Sequence, residues 1–206
     1  MFYFLIVIAL LIPIAVVGLL VFAYKKLSTK HFLILIALIA GAPYLTYKLY
    51  ERAFMLEVVP DAFGVTLISY SKEESWGFGP GGNEAGIRIF PLPESVSHRI
   101  RDHGMDFFNN MPPNKDQQNR SWQGQYSDWE ETPIKPGRNW GESKTVGNLD
   151  IYDYICAYGF CIEIEPSIVE KANSIINSPG SFYAYGRIGI IVVSPQKNLV
   201  MYFYNG

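Results

Sequence analysis

Carboxylates and tryptophans are the side chains in this sequence with the most chemical potential. Glu73, Glu74, Asn83 and Glu84 flank a glycine-rich stretch, Glu73-Glu74-Ser75-Trp76-Gly77-Phe78-Gly79-Pro80-Gly81-Gly82-Asn83-Glu84. Glycine frees a backbone to take positive φ and to bring its N–H groups close to a ligand. A nucleotide is disfavoured here. A phosphate loop opens a helix and, in the Walker form, carries Lys followed by Ser or Thr, whereas this stretch carries carboxylates and runs into a strand pattern. Its polar groups suit a cation or a polar ligand, or an acid–base pair for hydrolysis. The competing reading is a hairpin connection whose Trp76 and Phe78 fold back onto a core.

A second cluster comprises Trp122, Tyr126, Trp129 and Trp140 among Asn, Gln, Asp and Glu. Aromatic faces beside amides and carboxylates suit sugar rings or a protein interface, and they equally serve as apolar anchors for a polar loop. His98 and His103 are five apart and so do not share a helix face as metal ligands at i and i+4 do. The sequence holds no G-x-S-x-G and no H-E-x-x-H, and no metal or cofactor is expected. Cys156 and Cys161 lack the two-residue spacing of a redox motif. Read as a hairpin turning at Tyr158-Gly159, they face each other at a Cα separation of about 4.5 to 5.5 Å, within reach of a disulfide.

The expected framework is α+β. Residues 56–59 and 65–70 read as strands, 71–86 as a long tip, and 87–90 as a short strand ended by Pro91. Pro93 opens a helix with Val96, Ile100 and His103 on its inner stripe, and Gly104 stops it. Residues 111–146 carry prolines and amides with little periodicity and read as an irregular loop, with a short strand near residues 125–129. Residues 149–157 and 160–165 form the cysteine hairpin, on which Asp150, Asp153, Glu163 and Glu165 read as a solvated face. Pro166 and Ser167 then open a helix burying Ile168, Val169, Ala172, Ile175 and Ile176. Strands follow at 182–193 and 199–204. The likeness of Gly86-Ile87-Arg88-Ile89-Phe90-Pro91 to Cys161-Ile162-Glu163-Ile164-Glu165-Pro166 raises two tandem strand–turn–strand–helix units.

Ahead of this domain, residues 1–52 read as a transmembrane hairpin. Its helices are placed at about residues 2–24 and 32–50, since about 20 apolar residues cross a bilayer. Residues 1–23 carry no charged side chain, and Lys25, Lys26, Lys30 and His31 crowd the turn. Positive charge follows the apolar run instead of preceding it, so the run reads as a retained span and not a cleaved signal peptide. The basic turn places itself in the cytoplasm and residues 53–206 outside, in a bacterium the periplasm beyond the inner membrane. From Phe54 onward 12 Lys and Arg stand against 18 Asp and Glu, a formal charge of −6. Such a domain is a poor nucleic-acid binder. The expected function is therefore a membrane-anchored domain that binds a protein or envelope ligand in an accessory or immunity-type role, without catalysis. The alternative is an envelope hydrolase acting on glycan or peptide through the acidic residues of the glycine-rich stretch.

Overall fold

A computed structural model describes residues 2–76, 83–135, 140, 149–159 and 161–206, with side chains from Ile14 onward and, in the strand opening at Asn83, from Glu84. The chain divides into two units, Met1–Ala53 and Phe54–Gly206. The first unit is built from helices α1 (Phe2–Lys26) and α2 (Thr29–Leu56), the latter running three residues past the division. Among the described residues one helix, α2, is long and apolar enough to cross a membrane, and none of its residues is buried. Pro43 lies inside it.

The second unit is α+β. Its strands are β1 (Tyr70–Trp76), β2 (Asn83–Pro91), β3 (Glu130–Glu131), β4 (Phe182–Tyr185), β5 (Ile190–Ser194) and β6 (Leu199–Asn205). They form one six-stranded sheet in the order β1-β2-β6-β5-β4-β3, antiparallel at every pairing. The helices are α3 (Glu94–His103), α4 (Met105–Asn109), α5 (Gln117–Arg120), α6 (Ile151–Ile155) and α7 (Pro166–Ile176).

Both faces of the sheet are buried. Successive side chains point to opposite faces, and along β6 they alternate between two cores. Leu199, Met201 and Phe203 join Ile151, Ile155, Ala172 and Ile176 from α6 and α7. Val200, Tyr202 and Tyr204 join Val96, Ile100 and Phe108 from α3 and α4, together with Val58, Val59 and Phe63. Antiparallel sheets commonly leave one face in water and show alternation. Here β5 reads Ile-Ile-Val-Val-Ser with every residue buried, because each face has its own helical cover.

Several sequence expectations are corrected. Leu56 ends α2 and residues 57–59 turn toward a short 3₁₀ turn, Asp61–Phe63, while residues 64–69 precede the strand that starts at Tyr70. Val58, Val59 and Phe63 are apolar because they plug the second core. The expected tip is mostly strand: Glu73, Glu74 and Trp76 lie on β1 and Glu84 on β2, and residues 77–82 fall outside the described residues. Pro93 caps α3 and is not its first residue; Val96, Ser97 and Ile100 form the buried stripe, and His103 is exposed. Within 111–146, the short strand falls at Glu130–Glu131, just after the expected 125–129, and residues 136–139 and 141–148 are not described.

The cysteine hairpin is also corrected. Ile151–Ile155 is a helical turn, closed by a capping box in which Asp150 accepts from the backbone and Asp153 reaches back to the Asp150 N–H. Among the described residues, 161–165 form no strand. The tandem duplication fails with it, since its second unit lacks the hairpin that β1 and β2 supply to the first. Cys156 and Cys161 nevertheless lie at disulfide distance, with Cα atoms 4.6 Å apart. They come as close as hairpin partners would without the expected hairpin. The single strand expected over 182–193 is two, β4 and β5, joined through Gly186 and Gly189.

Gly189 has φ +86°, and a Cβ there would stand 2.8 Å from the Phe203 carbonyl oxygen and 2.7 Å from Tyr204 Cβ. Backbone cannot move aside cheaply. Gly189→Ala is expected to destabilise the domain by about 2 to 4 kcal/mol, combining the left-handed penalty with overpacking. Urea unfolding followed by tryptophan fluorescence measures it, and an unchanged midpoint would contradict the tight turn.

Candidate functional site

The residues expected to do chemistry do not meet in one place. Trp129 is buried in the second core, its ring 4.5 Å from Phe108 and 5.9 Å from Phe63. Trp140 is buried in the first, 5.4 Å from Tyr154, and its Nε1 donates to the Tyr185 hydroxyl at 2.7 Å. These two rings serve opposite faces of the sheet. Trp76 packs partly buried against the first core, and Trp122 is half-buried. Glu74 pairs with Lys72 at 3.3 Å on the face of β1 that Trp76 shares. Asn83 pairs with Trp76 in the strand register, and its side chain lies outside the described residues.

Glu73 and Glu84 belong to a partly buried polar network on the opposite face. Register places Glu73 opposite Gly86 on β2, and Gly86 opposite Tyr204 on β6. A Cβ on Gly86 would come within 2.6 Å of the Tyr204 ring. Glycine there lets that ring lie across β2 until its hydroxyl donates to the Glu73 carboxylate. Arg88 donates to the same carboxylate oxygen at 2.5 Å and to the Tyr204 hydroxyl at 3.0 Å, with its guanidinium 5.0 Å from the Tyr204 ring centre. The Tyr202 ring stacks on Tyr204 at 5.2 Å.

Burial dominates the proton affinities in this network. It pushes the Tyr202 and Tyr204 hydroxyls far above the usual range, so Tyr204 donates to Glu73 as a neutral group. Burial raises the Glu84 carboxyl as well, the neighbouring Glu73 adds to the rise, and Arg88 opposes it. Arg88 is 6% exposed, and its Nε has no hydrogen-bond partner among the described residues. With Glu73 and Glu84 beside it, the network offers no net positive field for an anion, and its carboxylate is already spent on Arg88 and Tyr204. It ties β1 to β6 across β2 and works as a structural fastener.

Among the described residues, concave surface lies elsewhere. A cleft of about 520 Å³ is lined by Pro60, Met111, Pro112, Tyr126, Tyr185 and Arg187, among others. Its wall is the stretch that reads as irregular in sequence, and Asp61 fixes it. Arg120 donates to Asp61 at 2.5 Å and the Lys115 N–H at 2.9 Å, while the Asp61 N–H donates to the Asn114 side-chain carbonyl at 2.8 Å. Burial alone would raise the Asp61 carboxyl, but the Lys115 N–H and Arg120 outweigh it and hold it below its ordinary value. Asn114 donates to Gln117 and to the Gly124 carbonyl, Gln117 to the Ser121 carbonyl, and the Tyr126 hydroxyl to the Val58 carbonyl. The amides that look like ligand-binding groups in sequence thus hold the loop in shape. Only the density of Asn and Gln after Pro113 hinted at this, and nothing in the sequence pointed to Asp61.

A second concavity of about 440 Å³, lined by Ala62, Arg99, His103, Asp106 and Phe107, adjoins the cleft and shares Met111 and Pro112 with it. Among the described residues no group of three or more His, Cys, Asp and Glu side chains is placed to hold a metal ion. Comparison with protein families, with curated proteins and with solved structures returns no match.

Two outcomes test the network. Glu73→Gln leaves Arg88 buried without a counter-charge, which costs less than in a fully buried pair because the Glu73 side chain is 32% exposed. The expected loss is about 2 kcal/mol, and adding Arg88→Met to Glu73→Gln should recover part of it in a double-mutant cycle. Glu84 has its folded-state pKa raised, so its favourable contribution is present below the unfolded carboxyl value and is lost as pH rises through the folded one. Glu84→Gln should therefore stabilise at pH 7 relative to wild type, with the difference closing toward pH 4. Urea midpoints across that range decide it, and a difference that grows on acidification would contradict the assignment.

Proposed function

We propose that this is a membrane-anchored protein whose C-terminal domain binds a protein or envelope ligand through its surface cleft, in an accessory or immunity-type role and without catalysis. Residues 2–50 would hold it in the bilayer as a two-helix hairpin, with the domain on the outer side, in a bacterium the periplasm. The single observation that carries the binding reading is the cleft at Met111 and Arg187: a concave surface within the ligand-site range, walled by proline and aromatic rings and braced from behind by Asp61.

Support for the anchor comes from α2, with its apolar side chains exposed along most of its length, and from Tyr24 and Phe32, whose rings meet at 5.2 Å across the basic turn. Support for the outer side comes from Lys25, Lys26 and Lys30 and agrees with a paired Cys156 and Cys161. A hydrolase would need free carboxylates converging with aromatic rings on one concave site. Glu73 is engaged by Arg88 and Tyr204, and Trp129 and Trp140 lie in separate cores. These placements weigh toward binding.

One experiment addresses anchor and cleft together. A photo-crosslinking residue is placed at Ser127, exposed on the cleft wall, or at Glu170, exposed on α7. Cells are also tested with a reporter, active only outside the cytoplasm, fused after Gly206. The reporter should be active, and illumination should give a discrete adduct from position 127 and none from 170. A silent reporter overturns the orientation. Equal or absent adducts from the two positions overturn the cleft as the binding face.

A further inference from the structure

We infer that the two adjoining concavities form one groove that holds an extended, acidic peptide segment of a partner protein, with its carboxylates set against Arg99 at one end and Arg187 at the other. The inference rests on the binding reading above and gives its ligand a chemistry.

Shape comes first. The concavity at Arg99 and the cleft at Arg187 both border Met111 and Pro112, so an extended occupant that crosses these two side chains reaches both. An extended chain advances about 3.3 Å per residue and fits a run of linked hollows better than one compact molecule does. The walls supply apolar area. Phe107, Met111 and Tyr126 are partly buried against the second core and keep their remaining surface outward. Pro60, Pro112 and Pro113 carry no N–H. Asn114 and Gln117 donate to loop groups, so side-chain contacts would do the recognising.

Charge sets the class of occupant. The domain is acidic overall, and its other described arginines are spent internally. Arg88 pairs with Glu73, Arg120 with Asp61, and Arg101 donates to the Pro195 carbonyl. Arg99 lies over the Phe107 ring at 5.5 Å and has no carboxylate within ion-pair distance among the described residues, and Arg187 has none either. These two guanidiniums both line the groove, at different ends, against a single lining carboxylate, Asp106, and a histidine, His103. Arginines without a carboxylate partner, on an aromatic and proline wall within an acidic domain, match a ligand that is apolar along its length and bears carboxylates.

The test uses the full chain in detergent micelles and a fluorescein-labelled twelve-residue peptide alternating Glu and Leu, read by anisotropy. A second peptide carries Gln for every Glu, and a third carries Lys. The Glu peptide should bind at least about tenfold more tightly than the Gln peptide and weaken as salt rises. Arg99→Gln and Arg187→Gln should each weaken it by about threefold with no change in thermal midpoint, as exposed ion pairs do. The double variant Arg99→Glu, Arg187→Glu should prefer the Lys peptide. Equal affinity for Glu and Gln peptides, or indifference to both arginines, overturns the inference. So does co-purification of two differently tagged copies that is lost with Arg187→Gln, since the occupant is then a second copy of this chain. If no peptide binds while the adduct from position 127 persists, this inference fails and the binding reading stands. Absence of both removes both.

Discussion

A sheet with two buried faces sets the terms for everything else in the C-terminal unit. Each side chain of β5 and all but the last of β6 must be covered, and no single helical layer can cover both sides. The chain meets this by sending α3, α4 and the Val58–Phe63 segment to one face and α6 and α7 to the other. Burying about 25 cal/mol per Å² of apolar surface on each side is the main favourable term available to a domain of this size. Aromatic rings do much of the filling. Phe63, Phe108, Phe182 and Trp129 form one connected group, and Trp140, Tyr154 and Phe203 form another.

The edge of the sheet cannot be closed the same way. β1 carries Lys72, Glu73 and Glu74, which keeps its outer rim from pairing with another chain. That polarity leaves little apolar burial to fix the strand to its neighbours. The Tyr204 ring spans the gap instead. It reaches over Gly86 to the carboxylate of Glu73, while Arg88 bonds both groups from the intervening strand. A glycine, a tyrosine, an arginine and a glutamate on three strands thus substitute one short hydrogen-bonded network for a missing patch of core. Its cost is a buried guanidinium, which the Glu73 carboxylate and the face of the Tyr204 ring offset.

What could be read in the sequence follows from how local the cause was. α7 is legible because Pro166 at its start and the apolar spacing from Ile168 to Ile176 lie within one short window. The short apolar run at Val58 and Val59 is not, because a strand and a core plug have the same composition, and only the partner across space separates them. The Cys156–Cys161 closeness survives a wrong secondary structure, since a chain that turns back within five residues brings its ends together whether it does so as a helix or a hairpin. The carboxylates were legible as residues and not as roles. Glu73 looks available until Tyr204, 131 residues later, is known to donate to it.

The groove belongs to the least legible part of the chain, and its construction explains why. Segments without periodicity are held by side chains reaching backbone groups far away in sequence, and such partners leave no pattern. Asp61 bonds Lys115 and Arg120, which lie 54 and 59 residues on, and through them braces the proline- and amide-rich wall. The segment so braced is also anchored by its rings, Trp129 buried in the second core and Tyr126 packed against it, while its prolines line the cleft. The same bracing uses up Arg120 and the amides, which leaves Arg99 and Arg187 as the guanidiniums on this surface without a carboxylate among the described residues. The segment with the least periodicity therefore shapes the groove, while the charge the groove presents comes from Arg99 on α3 and Arg187 between β4 and β5.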